Sequence, residues 1–138
     1  VPKSGYVEMT VGILEEKGRL KSFSPSITVA EMTILSVEEK FQGGTGVNIT
    51  PPPKEIISKR NLAKVKKLVE IVAERIGIRG YARMDIFVHV KTGNIIVIEI
   101  NTLPGLTPST VLYHQALAED PQIYPLQLLE KIIKNAGY

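Results

Sequence analysis

GYARMDIFVHVKTGNIIVIEINTLPGLTPST, residues 80–110, is the stretch on which the reading of this chain turns. Within it, Ala82 to Val90 alternates. Arg83, Asp85, Phe87 and His89 fall on one side, and Met84, Ile86, Val88 and Val90 on the other, which is the two-residue period of a strand. Lys91-Thr92-Gly93-Asn94 is turn chemistry. Ile95 to Asn101 alternates again, with Val97, Glu99 and Asn101 on one side. Two such runs around a short glycine-containing loop predict a β-hairpin. Asp85 and Glu99 share a face only in some registers, such as a three-residue turn or a bulge. In those registers Arg83, Asp85, Glu99 and Asn101 lie side by side, with a Gly/Pro/Ser/Thr loop leaving the strand end beside them.

That constellation suits magnesium, a hard cation that prefers carboxylate, amide and water oxygens together with substrate phosphates. Arg83, two residues before Asp85, is placed to contact a phosphoryl group through two parallel N–H donors. A solvated polar hairpin face is the plain alternative. It accounts poorly for a carboxylate set in Ile95-Ile96-Val97-Ile98-Glu99-Ile100, because such groups seldom sit among apolar neighbours without a partner. A structural ion pair remains a second alternative, since it perturbs carboxylates in a similar way.

Arg83-Met84-Asp85, then Glu99-Ile100-Asn101-Thr102, then Pro104-Gly105-Leu106-Thr107 closely resembles the end of the ATP-grasp domain in D-alanine–D-alanine ligases. The family pattern is Arg-x-Asp, a hairpin, and Glu-x-Asn-Thr-x-Pro-Gly-x-Thr. ATP-grasp enzymes in general share the Asp, Glu and Asn metal ligands, and the Asn-Thr-x-Pro-Gly continuation narrows the match to ligases that join D-amino acids. The resemblance implies that Asp85, Glu99 and Asn101 hold two Mg²⁺ ions, with Mn²⁺ as a substitute, and that Asn101 also contacts ATP. It implies that Arg83 stabilises the transferring group and that the Gly105 N–H helps hold an oxyanion. It assigns the carboxylate of the second amino acid to the pair Ser109 and Thr110, without deciding between them.

Elsewhere the chain reads as an ordinary globular domain. Its 138 residues are 43% hydrophobic and 22% charged, enough for one domain with a real core. No apolar run reaches the roughly 18 residues of a membrane span. Val1-Pro2-Lys3-Ser4-Gly5 does not read as a signal peptide, and the absence of an initiating Met suggests a fragment or processed piece. There is no Cys, hence no disulfide framework or thiol chemistry, which fits a cytoplasmic protein. A net charge of +3 is too small by itself to argue for nucleic acid.

Tyr6 to Leu14 predicts a first strand, and Arg19 to Thr28 a returning partner. Glu8 alone reads as an exposed strand carboxylate. By resemblance, Glu8-Met9-Thr10-Val11 matches a Glu-x-Thr-Val stretch whose Glu holds the ribose hydroxyls of ATP. Met32 to Pro53 is a long connection with a glycine-rich tip, Gly43-Gly44-Thr45-Gly46, whose backbone suits approach to an anion. There the resemblance implies a lid: Lys40 matches a Lys that contacts ATP phosphates, and Phe41 stands where Tyr is usual. That change implies either a choice of acceptor relaxed towards D-lactate or a residue that simply packs on an apolar wall. Ser58 to Ile76 is the clearest helix, with Leu62, Val65, Leu68 or Val69, Val72 and Ile76 at helical spacing, Ser58 as its cap and Gly77 as its stop. Its Lys/Arg-rich opposite face reads as solvated, because no aromatic residues interleave with the charges. Further helices are expected over Ser109–Ala118 and Pro125–Asn135, the last with Leu126, Leu129, Ile132 and Ile133 inward. His89 and His114 show no metal-ligand spacing.

The expected fold is α+β: an antiparallel sheet of at least four strands with two or three helices packed on it, the C-terminal subdomain of an ATP-grasp domain. Residues 1–138 are expected to be the C-terminal part of that domain, without the upstream lobe and substrate domain. The resemblance implies an ATP-dependent ligase that joins two D-alanines through an acyl phosphate for peptidoglycan precursors. It implies ATP and D-alanine as partners, and neither nucleic acid nor membrane. A homodimeric parent is one option for its assembly. The alternatives are another ATP-grasp carboxylate–amine ligase and a non-catalytic anion-binding module.

Overall fold

The computed structural model describes residues 3–29 and 47–137. The chain runs β1 (Tyr6–Glu16), β2 (Arg19–Ser22), β3 (Ser26–Val29), β4 (Val47–Ile49), α1 (Lys59–Arg75), β5 (Tyr81–His89), β6 (Ile95–Asn101), α2 (Val111–Leu117) and α3 (Pro125–Asn135). All strands join one antiparallel sheet in the order β4-β3-β1-β5-β6, with β2 also paired to β1. The six-stranded sheet and three helices among the described residues bear out the expected α+β class.

β1 is the centre of the sheet. On one side it pairs with β5 from Tyr6↔His89 to Leu14↔Tyr81. On the other it meets β3 at Met9 and Thr10 and β2 from Ile13 to Glu16. The returning chain therefore forms two short strands instead of the single Arg19–Thr28 partner expected. The break falls at Phe23-Ser24-Pro25, where Pro25 has no N–H to give to a ladder. β4 was not expected either: it occupies three residues of the long connection, just ahead of the proline run.

Each face of the sheet has its own apolar cluster. Met9, Val11, Ile13, Ala82, Met84, Ile86 and Val88 pack against Val65, Val69 and Ala73 of α1. These strand residues are the alternate positions of β1 and β5, as the period-two pattern requires. Full burial of such a side chain stabilises by about 1.5–3 kcal/mol. The opposite face carries Leu14, covered by Leu112, Tyr113 and Ala116 of α2, Leu128 of α3, and Phe23. These helices cover the end of the face that runs from Gly12 to Leu14 and Tyr81. The Glu8–Thr10 and Asp85–Phe87 end of that face stays open, and the site is built there.

Helix ends follow local chemistry. The Ser58 Oγ accepts the Asn61 N–H at 3.1 Å and starts α1. After Ile76, Gly77 adopts φ +78°. Its N–H donates to the Glu74 carbonyl at 3.1 Å, and the Ile78 N–H to the Ala73 carbonyl at 3.0 Å, the bond pair of a Schellman stop. Ile76 is 55% exposed and is not a core residue. α2 starts at Val111 behind the cap Thr110, two residues later than expected. In α3 the buried residue is Leu128, whereas Leu126 and Ile133 are exposed. The helix presents a narrower stripe to the sheet than its apolar content suggests.

Glu15 sits in β1 with its carboxylate turned onto the turn before β5. It accepts the Gly80 N–H at 2.7 Å and the Arg79 Nε–H at 3.1 and 3.2 Å. The Gly80 hydrogen bond, followed by that of Arg79, holds its carboxyl below the ordinary value of 4.5. A depressed folded-state value means the stabilisation is complete above pH about 4.5 and is lost as pH falls through the lower value. Glu15→Gln is expected to reduce stability at neutral pH by about 1.5–3 kcal/mol and to flatten the acid limb. Denaturant midpoints between pH 3 and 7 (values on the order of the carboxylate range) read this directly. An equally steep acid limb in the variant would place the responsible carboxylate elsewhere.

Candidate active site

The hairpin register settles which residues share a face. Arg83 pairs with Asn101, Met84 with Ile100 and Asp85 with Glu99, after which Ile86 pairs with Val97. Ile98 is thus an extra residue in β6, a β-bulge. The bulge is one of the registers that bring Arg83, Asp85, Glu99 and Asn101 together. It also corrects the reading of Val97, which pairs with the buried Ile86 and belongs to the other face.

Asp85 is half-buried beside β1. Its Oδ1 accepts the Thr10 hydroxyl at 3.0 Å, and its Oδ2 accepts an Arg83 Nη2–H at 3.2 Å. The same Arg83 nitrogen lies 3.9 Å from the Glu99 Oε1. Glu99 is the most open member, its side chain 63% exposed against 16% for Asp85. The Asn101 Oδ1 accepts the Leu103 N–H at 3.0 Å, which orients the amide and turns the chain into the following loop. Arg83 Nε is buried and has no partner among the described residues, an orphaned donor of the kind normally satisfied in folded proteins. An anion held by this guanidinium would supply the missing acceptor.

A cleft of about 400 Å³ opens beside Arg83. Thr10 of β1 lines one wall and Gly105, Thr107, Ser109 and Thr110 another, with Thr28 and Asn48 at the β3–β4 end. The loop is pinned at its far end, where the Tyr113 hydroxyl donates to the Leu106 carbonyl at 2.7 Å. Thr110 caps α2, its Oγ1 accepting the Leu112 N–H at 3.5 Å, so its hydroxyl is partly engaged while Ser109 stays exposed. A Cβ added at Gly105 would meet nothing within 4 Å. No packing inside the chain demands a glycine there, and the space belongs to the cleft.

The structure therefore joins two groups that the sequence offered separately: the acidic pair with Asn101, and the loop Gly105–Thr110. Arg83 borders both. Glu8 lies on the same open face, opposite Phe87 and two residues from Thr10 along β1, exposed and apart from the acidic pair. Lys40 and Phe41 lie outside the described residues. His89 stacks edge-on against Tyr6, ring centroids 5.0 Å apart. Thr10 was missed by sequence reasoning, and so was Gln115, buried beneath the cleft. Thr10 was legible only as an alternate residue on the strand face of Glu8, and a lone Gln within an apolar helix gave no positional signal. A larger hollow of about 810 Å³ beside α3, reaching Phe23 and Ile123, contains none of the expected site residues. Of its charged groups, Lys131 already pairs with Glu16 at 2.7 Å.

Among the described residues no three His, Cys, Asp or Glu side chains cluster as a metal site. Two carboxylates, one carboxamide and room for phosphate oxygens form instead a hard-oxygen donor set, which fits a magnesium-type ion that arrives with a nucleotide. Thr10→Val keeps the shape of residue 10 and removes the hydroxyl from Asp85. It is expected to weaken Mn²⁺ binding by the parent about threefold to tenfold, the net worth of one ordinary hydrogen bond. Titration by electron paramagnetic resonance measures this, and unchanged affinity would free Asp85 from any dependence on Thr10.

A family model described as D-ala D-ala ligase C-terminus matches residues 4–134. The chain belongs to that family. Among its relatives in the D-ala D-ala ligase family is the D-alanine–D-alanine ligase of Pelotomaculum thermopropionicum, 31% identical over 116 residues, which cover 82% of this chain and 35% of that protein. The ligase of Halalkalibacterium halodurans is 30% identical over 109 residues, 79% of this chain and 34% of that protein. The chain spans about a third of the length of the curated relatives it matches. Its fold is also that of the VanG D-Ala:D-Ser ligase from Enterococcus faecalis, with a TM-score of 0.71 at 18% identity over 94% of this chain and 36% of that one. The Bacillus anthracis D-alanine–D-alanine ligase complexed with ATP aligns with a TM-score of 0.64 at 23% identity over 94% and 38%. The family's ATP-grasp architecture accounts for the antiparallel sheet and the helices on it.

Proposed function

We propose that this chain is the C-terminal part of an ATP-dependent ligase that joins two D-alanines for peptidoglycan precursors in the cytoplasm. The observation that carries the reading is the placement of Arg83 between the Asp85–Glu99 pair and the cleft walled by Gly105–Thr110. A phosphoryl group at Arg83 has acidic ligands on one side and a substrate cleft on the other.

In this proposal the carboxylate of the first D-alanine attacks the γ-phosphate of ATP, giving an acyl phosphate and ADP. The amine of the second D-alanine then attacks the acyl carbon, and phosphate leaves with the C–O bond electrons. Asp85, Glu99 and Asn101 would hold magnesium, which neutralises phosphate charge when bound. Arg83 contributes two N–H donors and its partnerless Nε–H to the phosphoryl oxygens. The Gly105 N–H faces the developing oxyanion, with no side chain to obstruct approach. Ser109 and Thr110 receive the carboxylate of the second amino acid, Ser109 with the freer hydroxyl. Glu8 takes the ribose, Lys40 the phosphates, and Phe41 is assigned to the substrate.

Phosphate release by the full-length protein with ATP, Mg²⁺ and D-alanine, against the same assay with L-alanine, tests the reading. Release with D-alanine alone is expected. Release that ignores the configuration of alanine, or needs another acceptor, would replace it with a different carboxylate–amine ligase.

A further inference from the structure

We propose that Gln115 is a positioning residue that sets the spacing between the Gly105–Thr110 wall of the cleft and the strand carrying Thr10. The proposal rests on the ligase reading for what the cleft holds, and on geometry alone for what Gln115 does. Gln115 is fully buried, at 0% exposure, between Leu112 and Ala116 in the second apolar cluster. A carboxamide is unfavourable in such surroundings unless its polar atoms are paired.

Every bond that it makes leads to the sheet. The Oε1 accepts the Gly12 N–H at 2.7 Å, and the Nε2 donates to the Thr10 carbonyl at 2.8 Å and to the Ser26 Oγ at 3.0 Å. These partners lie where the returning chain leaves the ladder between β2 and β3. The carboxamide thus stands beside β1 as a short piece of neighbouring strand would, with one acceptor and one donor for backbone groups two residues apart. Thr10 passes the constraint on, because its hydroxyl donates to Asp85. From α2 to the acidic pair the path is two hydrogen bonds and one residue of β1. The same helix begins at Thr110 and is tied back to Leu106 through the Tyr113 hydroxyl. Hydrocarbon contacts fix a distance but not a direction, whereas three directed bonds fix α2 along β1 as well as above it.

The test uses the full-length protein with Gln115→Met, which keeps length and apolar volume and removes all three bonds. Hydrogen exchange over residues 105–117 is expected to rise about tenfold or more, with residues 59–75 unchanged, because α1 belongs to the other apolar cluster. KM for the acceptor D-alanine is expected to rise about tenfold while KM for ATP stays within about twofold. Unchanged exchange over 105–117, or an equal rise over 59–75, overturns the proposal. A change in kcat alone, with both KM values kept, overturns it too. If exchange rises locally but the wild-type protein never consumes D-alanine, the ligase reading fails and the positioning role stands. Should Gln115→Met not accumulate, Ser26→Ala removes one of the three bonds, and the same readouts apply to it with smaller expected changes.

Discussion

Glu99→Gln in the full-length protein is expected to lower kcat by about three orders of magnitude, on the order of 4 kcal/mol of transition-state stabilisation, with little change in stability. The structural grounds are specific. Glu99 is directly opposite Asp85 in the hairpin and reaches the same Arg83 nitrogen at a looser 3.9 Å. Its side chain is 63% exposed, so the fold draws little from its charge. The substitution is nearly isosteric, and a carboxamide is still polar enough to disfavour the buried face. Turnover at saturating Mg²⁺, together with a melting curve, separates the two effects. Near-normal kcat would remove Glu99 from the ligand set. A large fall in melting temperature would mean the carboxylate has a structural duty that its exposure does not suggest.

Gly12→Ala is expected to destabilise the protein by about 3 kcal/mol or more, because the closest contacts for an added Cβ among the described glycines occur there. A Cβ there would lie 2.6 Å from the Gln115 Oε1 and from the Leu112 Cδ2, and 2.9 Å from the Phe23 Cδ2. None of these atoms is the tip of a free side chain, since Gln115, Leu112 and Phe23 are all buried. Relief requires α2 to move off the sheet, which breaks the Gly12–Gln115 hydrogen bond and adds overpacking to a lost buried partner. Gly105→Ala is the matched control: it meets nothing and is expected to change stability by less than about 0.5 kcal/mol. Unfolding midpoints of both variants decide the point. Equal midpoints would show that the close approach of α2 to β1 yields easily.

The hairpin, the long helix and the last helix were legible because each repeats a short-range rule. β5 alternates without interruption from Arg83 to His89, and α1 has both its cap and its glycine stop. The acidic pair was legible in composition but not in placement. The step from Val97 to Glu99 looks like continued alternation, and only long-range pairing reveals that Ile98 interrupts it. The break between β2 and β3 and the existence of β4 depend on what β1 accepts as neighbours, which no local window contains. Gln115 was illegible for a related reason: its partners Thr10, Gly12 and Ser26 are about ninety to a hundred residues away, and a lone buried amide in a helix carries no period to detect.

The extra residue at Ile98 bears on how the hairpin rejects errors while it forms. A strand as uniformly apolar as Ile95-Ile96-Val97-Ile98 has little in its own pattern to stop it sliding along β5. If β6 slid by one residue, Glu99 would pair with Met84 and move to the face where Met84 and Ile86 are sealed from water, a placement that strips an unpaired carboxylate of part of its hydration. With the bulge in place, the greasy half and the charged half of the strand each find their proper side, and only one alignment satisfies both. The pairing of Asp85 with Glu99 is therefore proofread by the strand itself as well as by the Lys91–Asn94 turn, which Asn61 and Lys64 of α1 hold in place.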